Sequence, residues 1–300
     1  RLHSAARVAP HVRCTPMQQS TSSTTEADGP RVTTGTKELV LKGEDRMEAR
    51  VTIVGSEQLF LGMVADGHGG KGASVLCREK FLDFLLDAAD GSADAKSLRA
   101  AARKAFARAH DAVLALDPPT TAGATLTVCM INPARREVTC AHVGDSIALL
   151  VPRDGTAAVT ELCEDHRIDT SASERKRLKA LGGNIAHAMD SYGCPGGPLR
   201  LWPGGVAQAR SIGDSDIGDF NDARPHVCSY SFPKDGQGDV IICSDGVWDA
   251  LLHQDVAALC RKSAGCTAAV TAGLVVKRSL EQRHAFDNSE MRIPRDDTSW

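Results

Sequence analysis

Residues 59–70 read L-F-L-G-M-V-A-D-G-H-G-G, an apolar run that ends in a carboxylate (Asp66) and an imidazole (His68) among Gly67, Gly69 and Gly70. Asp-Gly and Gly-Gly are ordinary turn dipeptides, so alone these residues describe only the end of a strand. Their setting is repeated elsewhere in the chain. His142-Val143-Gly144 leads into Asp145-Ser146, and Cys243-Ser244 into Asp245-Gly246. Glu44-Asp45 stands near the start and Asp296-Asp297 near the stop. Sheet packing can bring such strand ends into one cleft. A cluster of hard carboxylates with no adjoining Cys- or His-rich set suits Mg²⁺ or Mn²⁺ rather than zinc. Two such ions can activate a water while clamping a phosphoryl group. Glycine beside each Asp lets the backbone approach an ion closely.

Outward from that stretch, V-T-I-V (51–54) and L-F-L-G-M-V (59–64) read as strands joined through Gly55-Ser56-Glu57-Gln58, a hairpin signal. Residues 74–89 place Val75, Cys77, Leu82 and Leu85 at helical spacing. Residues 97–116 form a second helical stretch, stopped by Pro118-Pro119. Strands follow at 124–131, 138–143 and 147–151, then a helix from about Ala172 that Gly182-Gly183 closes. Residues 184–238 are rich in Gly and Pro and predict a long irregular excursion. A last strand at 239–246 precedes helical stretches at 253–262 and 267–282. Strands and helices that each come in consecutive pairs predict an α+β fold with antiparallel sheets. Two sheets between helix pairs, a four-layer α-β-β-α sandwich, use this inventory.

The composition, 42% hydrophobic and 24% charged over 300 residues, is that of a globular protein with a sizeable core. Lys+Arg 35 against Asp+Glu 38 leaves a net charge of −3, so no basic field argues for nucleic acid. No uninterrupted apolar stretch has the length of a membrane span. The 10 cysteines show no C-x-x-C spacing; Cys129 and Cys243 lie in apolar runs and read as small core residues. That pattern fits a reducing compartment, without a disulfide framework or cysteine-bound zinc. Residues 1–36 are Arg- and Ser/Thr-rich with Glu26 their first acid, as in a disordered tail or a transit-peptide-like segment. The expected location is cytoplasmic or nuclear, or a plastid or mitochondrion if the segment is a transit peptide.

Nine motifs, in order, resemble those of the PP2C (PPM) family of metal-dependent protein phosphatases. They are E-D (44–45), V-A-D-G-H-G-G (64–70), G-A-T-L (123–126), V-G-D-S (143–146) and D-H-R (165–167), then G-G (182–183), A-R-S-I-G-D (209–214), S-D-G-V-W-D (244–249) and D-D-T-S (296–299). The resemblance spans about residues 43–300. It implies hydrolysis of protein phosphoserine and phosphothreonine by water activated at a binuclear Mn²⁺/Mg²⁺ centre, with no phosphoenzyme. By motif position, Asp66 bridges the ions and Gly67 offers its carbonyl oxygen. Asp245 and Asp296 complete the first metal, Glu44 holds the second, and Asp45 is a supporting carboxylate. Asp145, Asp245 and Asp249 match a third, weaker site, and His68 is the candidate general acid for the departing alkoxide.

Two departures from the family pattern matter. The usual Arg position before Glu44 is Val40, leaving Lys42 or Lys37 to bind substrate phosphate as point charges. Asp287-Asn288-Ser289 also resembles the closing motif; Asp296 is preferred because Arg295–Trp300 resembles the opening of the final strand, which is expected to be shortened. Residues 184–223 occupy the place of the family's flap, where Trp202 is either a docking residue or a loop anchor. Arg210 reads as a structural ion-pair partner, Trp248 as core, and Arg175-Lys176-Arg177 as a solvated helix face. The expected partners are phosphorylated protein substrates, with the chain acting as a monomer. Two other readings share these residues: a scaffold module that keeps the fold without activity, and a hydrolase of small phosphoesters.

Overall fold

The computed structural model describes residues 32–37, 43–153, 155, 158–189, 193–232 and 237–287, with side chains as far as 282. A two-residue turn at Gly55-Ser56 folds β1 (Arg46–Val54) onto β2 (Glu57–Ala65), pairing Val54 with Glu57 and Arg46 with Ala65. The alternation along β2 decides its faces. Leu59, Leu61 and Met63 are buried against the first helix layer, and Gly62 faces Ile242 of the opposite sheet. β5 (Leu126–Asn132), β6 (Glu137–Val143) and β12 (His226–Ser231) complete a five-stranded antiparallel sheet in the order β1-β2-β5-β6-β12.

Helices α1 (Gly72–Ala89) and α2 (Ala95–Leu114) cover its outer face. Asp94 starts α2 by accepting hydrogen bonds from the Lys96 and Ser97 amides at 2.9 and 3.0 Å, a side-chain cap for otherwise unpaired N–H groups. Phe81 and Phe106 meet edge to face at 5.0 Å between ring centroids in this layer. The second sheet has the order β13-β7-β8, from β7 (Ile147–Pro152), β8 (Thr160–Glu161) and β13 (Gly238–Cys243). Leu149 and Val151 pack outward onto Val247 of α4 (Asp245–Trp248), Val256 and Cys260 of α5 (His253–Lys262), and Val275 of α6 (Ala268–Asp287). Cys129, Val138, Cys140, Ala148, Leu150 and Leu162 fill the space between the sheets. The four layers are those the sequence predicts.

The excursion at 184–238 is more regular than expected. β9 (Asn184–Met189) and β10 (Pro195–Trp202) form a hairpin with a register shift between Pro195 and Leu199, and β12 is the outer strand of the large sheet. β9 is exposed or half-exposed along its whole length, and β12 has only half-buried or exposed residues, so neither carries an apolar alternation. Trp202 sits on the hairpin, 39% exposed, with its indole N–H near the Ala186 carbonyl at 3.4 Å. α3 (Ala172–Ala180) precedes Gly182, as expected. Its basic run is not a solvated face, however. Arg175 donates to the Ile168 and Asp169 carbonyls, Arg177 to Glu174 and the Phe220 and Ala209 carbonyls, and only Lys176 is exposed.

Between β6 and α3, the buried rings of His142 and His166 stack at 4.5 Å. His142 Nε2 accepts from the Glu164 amide at 2.8 Å and His166 Nδ1 from the Gly144 amide at 3.1 Å, arrangements that need neutral rings. Burial pushes both proton affinities down, that of His166 to about 4. The unfolded chain takes up these protons below pH about 6.5, whereas folded His166 resists until about 4, so stability is full above 6.5 and falls with pH below it. For His166 alone the loss approaches about 3 kcal/mol by pH 4. Urea midpoints measured from pH 7 to 4.5 should fall steeply, and less steeply in His166→Asn.

Candidate metal centre

Four expected carboxylates converge at one end of the sandwich. Asp45 immediately precedes β1, Asp66 follows β2, Asp145 lies in the turn after β6, and Asp245 opens α4. Asp45, Asp66 and Asp145 are 5, 9 and 8% exposed. Burial pushes the Asp66 carboxyl well above its usual range, and the charges of Asp245, Asp45 and Asp145 push it further. Burial raises Asp145 too, against the opposing pull of Arg167.

The neighbouring motifs hold these backbones in place. The Thr125 amide donates to the Asp66 carbonyl at 2.8 Å, and Thr125 Oγ1 shares a hydrogen bond with Ser146 Oγ at 2.8 Å, tying G-A-T-L to V-G-D-S. Glu44 lies across the 67–70 loop, with Oε1 accepting from the Gly70 amide at 2.7 Å and its carbonyl accepting from Ser74. A side chain at Gly67 would stand 2.6 Å from the Glu44 carbonyl oxygen and 2.8 Å from Ser74 Oγ, so only glycine permits this approach.

Mutually repelling oxygen donors in a buried end fit a hard divalent cation, which would relieve their repulsion. Among the described residues no three His, Cys, Asp or Glu side chains already form a coordinating array. Asp296 and Lys42 lie outside the described residues, Asp287 ends α6, and Lys37 is exposed. An apolar cavity of about 200 Å³ lined by Met47, Phe60, Ile242 and Val275 lies elsewhere, and none of the converging carboxylates lines it.

The expected third-site ligands have a partner of their own. Arg167 of D-H-R reaches Asp145 at 3.0 Å, Asp249 at 2.8 Å and Asp245 at 4.0 Å. Burial opposes the guanidinium charge, but these three carboxylates hold its proton affinity above the usual value. A third cation would have to displace Arg167. Arg167→Ala should therefore bind about one more Mn²⁺ per chain, or bind it about 10-fold more tightly, in equilibrium dialysis. Unchanged stoichiometry and affinity would mean that Arg167 does not compete for the position.

His68 has two partners that sequence reasoning did not assign. Its Nε2 lies 2.8 and 2.9 Å from the Asp214 carboxylate oxygens, and its Nδ1 lies 2.9 Å from the Gln208 side-chain amide. Asp214 is 3% exposed, accepts from Ser211 Oγ, and adopts a left-handed backbone with φ 54°. A Cβ on Gly123 would lie 2.2 Å from Asp214 Oδ1, so the glycine of G-A-T-L makes room for this carboxylate. Burial disfavours the imidazolium, but the hydrogen bond and charge of Asp214, with Asp145 and Glu44, outweigh it and raise His68. The signal was present in the sequence: Ile212-Gly213-Asp214 repeats the pattern of an apolar residue leading to a glycine-flanked acid. Small ladders among β3 (Gly67–His68), β4 (Gly123–Ala124) and β11 (Ile212–Gly213) bring the three motifs together in the order β11-β4-β3. Arg210 pairs with Glu174 at 2.7 Å, and Trp248 packs on the outer core with its indole donating to the Cys243 carbonyl at 2.9 Å, as the sequence predicts.

The fold is an α-β-β-α sandwich with acidic strand ends gathered at one pole. The family model for protein phosphatase 2C matches residues 42–282, and the chain belongs to that family. It is 35% identical over 228 residues to probable protein phosphatase 2C 5 of Arabidopsis thaliana, covering 75% of this chain and 51% of that protein. It is 36% identical over 228 residues to probable protein phosphatase 2C 33 of Oryza sativa subsp. japonica, with the same coverages of 75 and 51%. The chain thus spans about half the length of these curated relatives. Among solved structures, a serine-threonine phosphatase 2C from Toxoplasma gondii superposes with a TM-score of 0.65 at 16% identity, over 85% of this chain and 94% of that one. A C. elegans sex determining protein superposes with a TM-score of 0.71 at 20% identity, over 83 and 61%. At these identities the likeness is one of fold.

Proposed function

We propose that the chain is a Mn²⁺- or Mg²⁺-dependent phosphatase of phosphoserine and phosphothreonine in proteins. The observation that carries this is the burial of Asp66 among Asp45, Asp145 and Asp245, negative charge that a bound divalent cation would offset. Asp66, Asp245, Asp296, Glu44 and the Gly67 carbonyl would hold two ions, with Asp45 in support. When bound, such ions supply an activated water and offset the charge building on the phosphoryl oxygens.

The chain's own residues do the rest. Asp214 fixes the ring plane of His68 and holds its Nε2 proton, which leaves Nδ1 to serve the departing oxygen once Gln208 yields it. A neutral ring accepts at Nδ1 from the Gln208 amide; an imidazolium donates there to the amide oxygen after a flip. Lys42 or Lys37 takes the phosphate in place of an arginine. The retained acidic set favours catalysis over a scaffold role, since a binding module gains nothing from burying repelling charges. Initial rates on a phosphothreonine peptide and on p-nitrophenyl phosphate, with Mn²⁺ and with EDTA, test this reading. The expected outcome is metal-dependent turnover with kcat/KM higher for the peptide. Turnover of small esters alone would favour a small-phosphoester hydrolase.

A further inference from the structure

Cys129 on β5 is directly opposite Cys140 on β6, and Cys140 is directly opposite Cys228 on β12. Opposed residues of antiparallel strands hold their Cα atoms about 4.5–5.5 Å apart, inside the window of about 4.4–6.8 Å that disulfides span. A fourth cysteine, Cys163 just past β8, brings its sulfur to 3.9 Å from that of Cys140. Cysteines far apart in sequence are therefore gathered around one sulfur by strand register, in the layer between the two sheets.

Their access is graded. Cys140 is fully buried and Cys129 is 2% exposed, while Cys163 and Cys228 are half-buried. Cys228 also occupies the edge strand of the large sheet. Its thiol donates to the Leu162 carbonyl at 3.1 Å. Against that contact, hydrogen bonds from Cys140 and from His226, on the same strand face, favour the thiolate and bring Cys228 down to about 6. His226 is itself 3.2 Å from Glu164, a carboxylate that supports its charge. A partly accessible thiolate beside a buried thiol is the arrangement of a redox-responsive pair.

We propose that Cys228 and Cys140 form a peroxide-responsive thiol pair that closes a disulfide between β12 and β6. The Cys228 thiolate attacks hydrogen peroxide: an S–O bond forms, the O–O bond breaks, and the released hydroxide takes a proton to become water. The Cys140 sulfur then attacks the sulfenic acid, and hydroxide leaves as a second water with the Cys140 proton. Two thiols lose two electrons in all, and one peroxide becomes two waters. The disulfide removes the Cys228 contact with Leu162 and the Cys140 contact with Cys163. Both belong to the segment that continues to Arg167, the partner of Asp145 and Asp249. This inference does not depend on the phosphatase reading.

The test treats the reduced full chain with a few equivalents of hydrogen peroxide, blocks free thiols with N-ethylmaleimide, and maps peptides by mass spectrometry. The expected product is a Cys140–Cys228 link reversed by dithiothreitol, formed at least about 10-fold faster than any product at the exposed Cys194 or Cys266. Cys228→Ser, at a half-buried edge position that should tolerate serine, should abolish the link and slow peroxide consumption by about the same factor. Oxidation confined to Cys194 and Cys266 would overturn the proposal, leaving the cluster as core packing. A Cys140–Cys163 link formed equally fast in Cys228→Ser would overturn the assignment of Cys228 as the attacked thiol.

Discussion

Asp66→Asn should lower Mn²⁺-dependent hydrolysis of a phosphothreonine peptide by about 10³-fold or more, because it removes a negative charge from the buried carboxylates that would hold the ions. The same substitution should act on stability in the opposite sense. Asp66 titrates above its unfolded value because it is buried and faces Asp245, Asp45 and Asp145. An acid raised in this way costs folding free energy at every pH above its unfolded pKa of about 3.9. In EDTA at pH 7 the variant should therefore melt above the wild type, by about 2–4 °C for each kcal/mol of repulsion removed. Mn²⁺ should reverse the order, stabilising the wild type and leaving the variant nearly unchanged. Melting by differential scanning fluorimetry with and without Mn²⁺ checks both signs. A variant less stable than wild type in EDTA would mean that the carboxylate is a structural hydrogen-bond acceptor and not a crowded ligand.

The second large effect concerns proton delivery. His68→Gln should cost about 10²–10⁴-fold in kcat on phosphothreonine peptide, the usual worth of a positioned general acid. Asp214→Asn should reproduce about 10–100-fold of that with little change in KM, since Asp214 acts through the imidazole. Both losses should shrink on p-nitrophenyl phosphate, whose phenolate departs readily without a proton. Equal losses on the two substrates would assign His68 and Asp214 to the architecture of the site alone.

The approach to Asp66 was readable in the sequence because β2 is a β-rich apolar run that stops at the acid. Leu59, Leu61 and Met63 bury on one face, and a glycine-flanked acid follows the run. Asp145 and Asp245 repeat that punctuation, and the fold gathers all three. The excursion at 184–238 was not readable, because β9 and β12 bury no complete face and local pattern cannot show pairing that exposure leaves unmarked. Asp214 stands in a motif, but its value depends on meeting His68 from 146 residues away. Arg175 and Arg177 looked like solvated charge because the carbonyls they bind lie outside their own helix. The thiol row is hidden for a related reason: Cys129, Cys140 and Cys228 have no motif spacing, and only sheet register aligns them. Periodicity reports what an element buries. It does not report which distant element supplies the partner.

Phosphate released from a phosphothreonine peptide, followed while Mn²⁺ is titrated into metal-stripped chain, probes the acidic pole most directly. Release that starts near zero, rises with Mn²⁺ to a plateau and disappears again with EDTA is the expected result. Release that is indifferent to Mn²⁺ and EDTA, or absent at saturating Mn²⁺ from chain that melts cooperatively, would show that the buried carboxylates of Asp66, Asp145 and Asp245 do not serve a metal-dependent phosphatase.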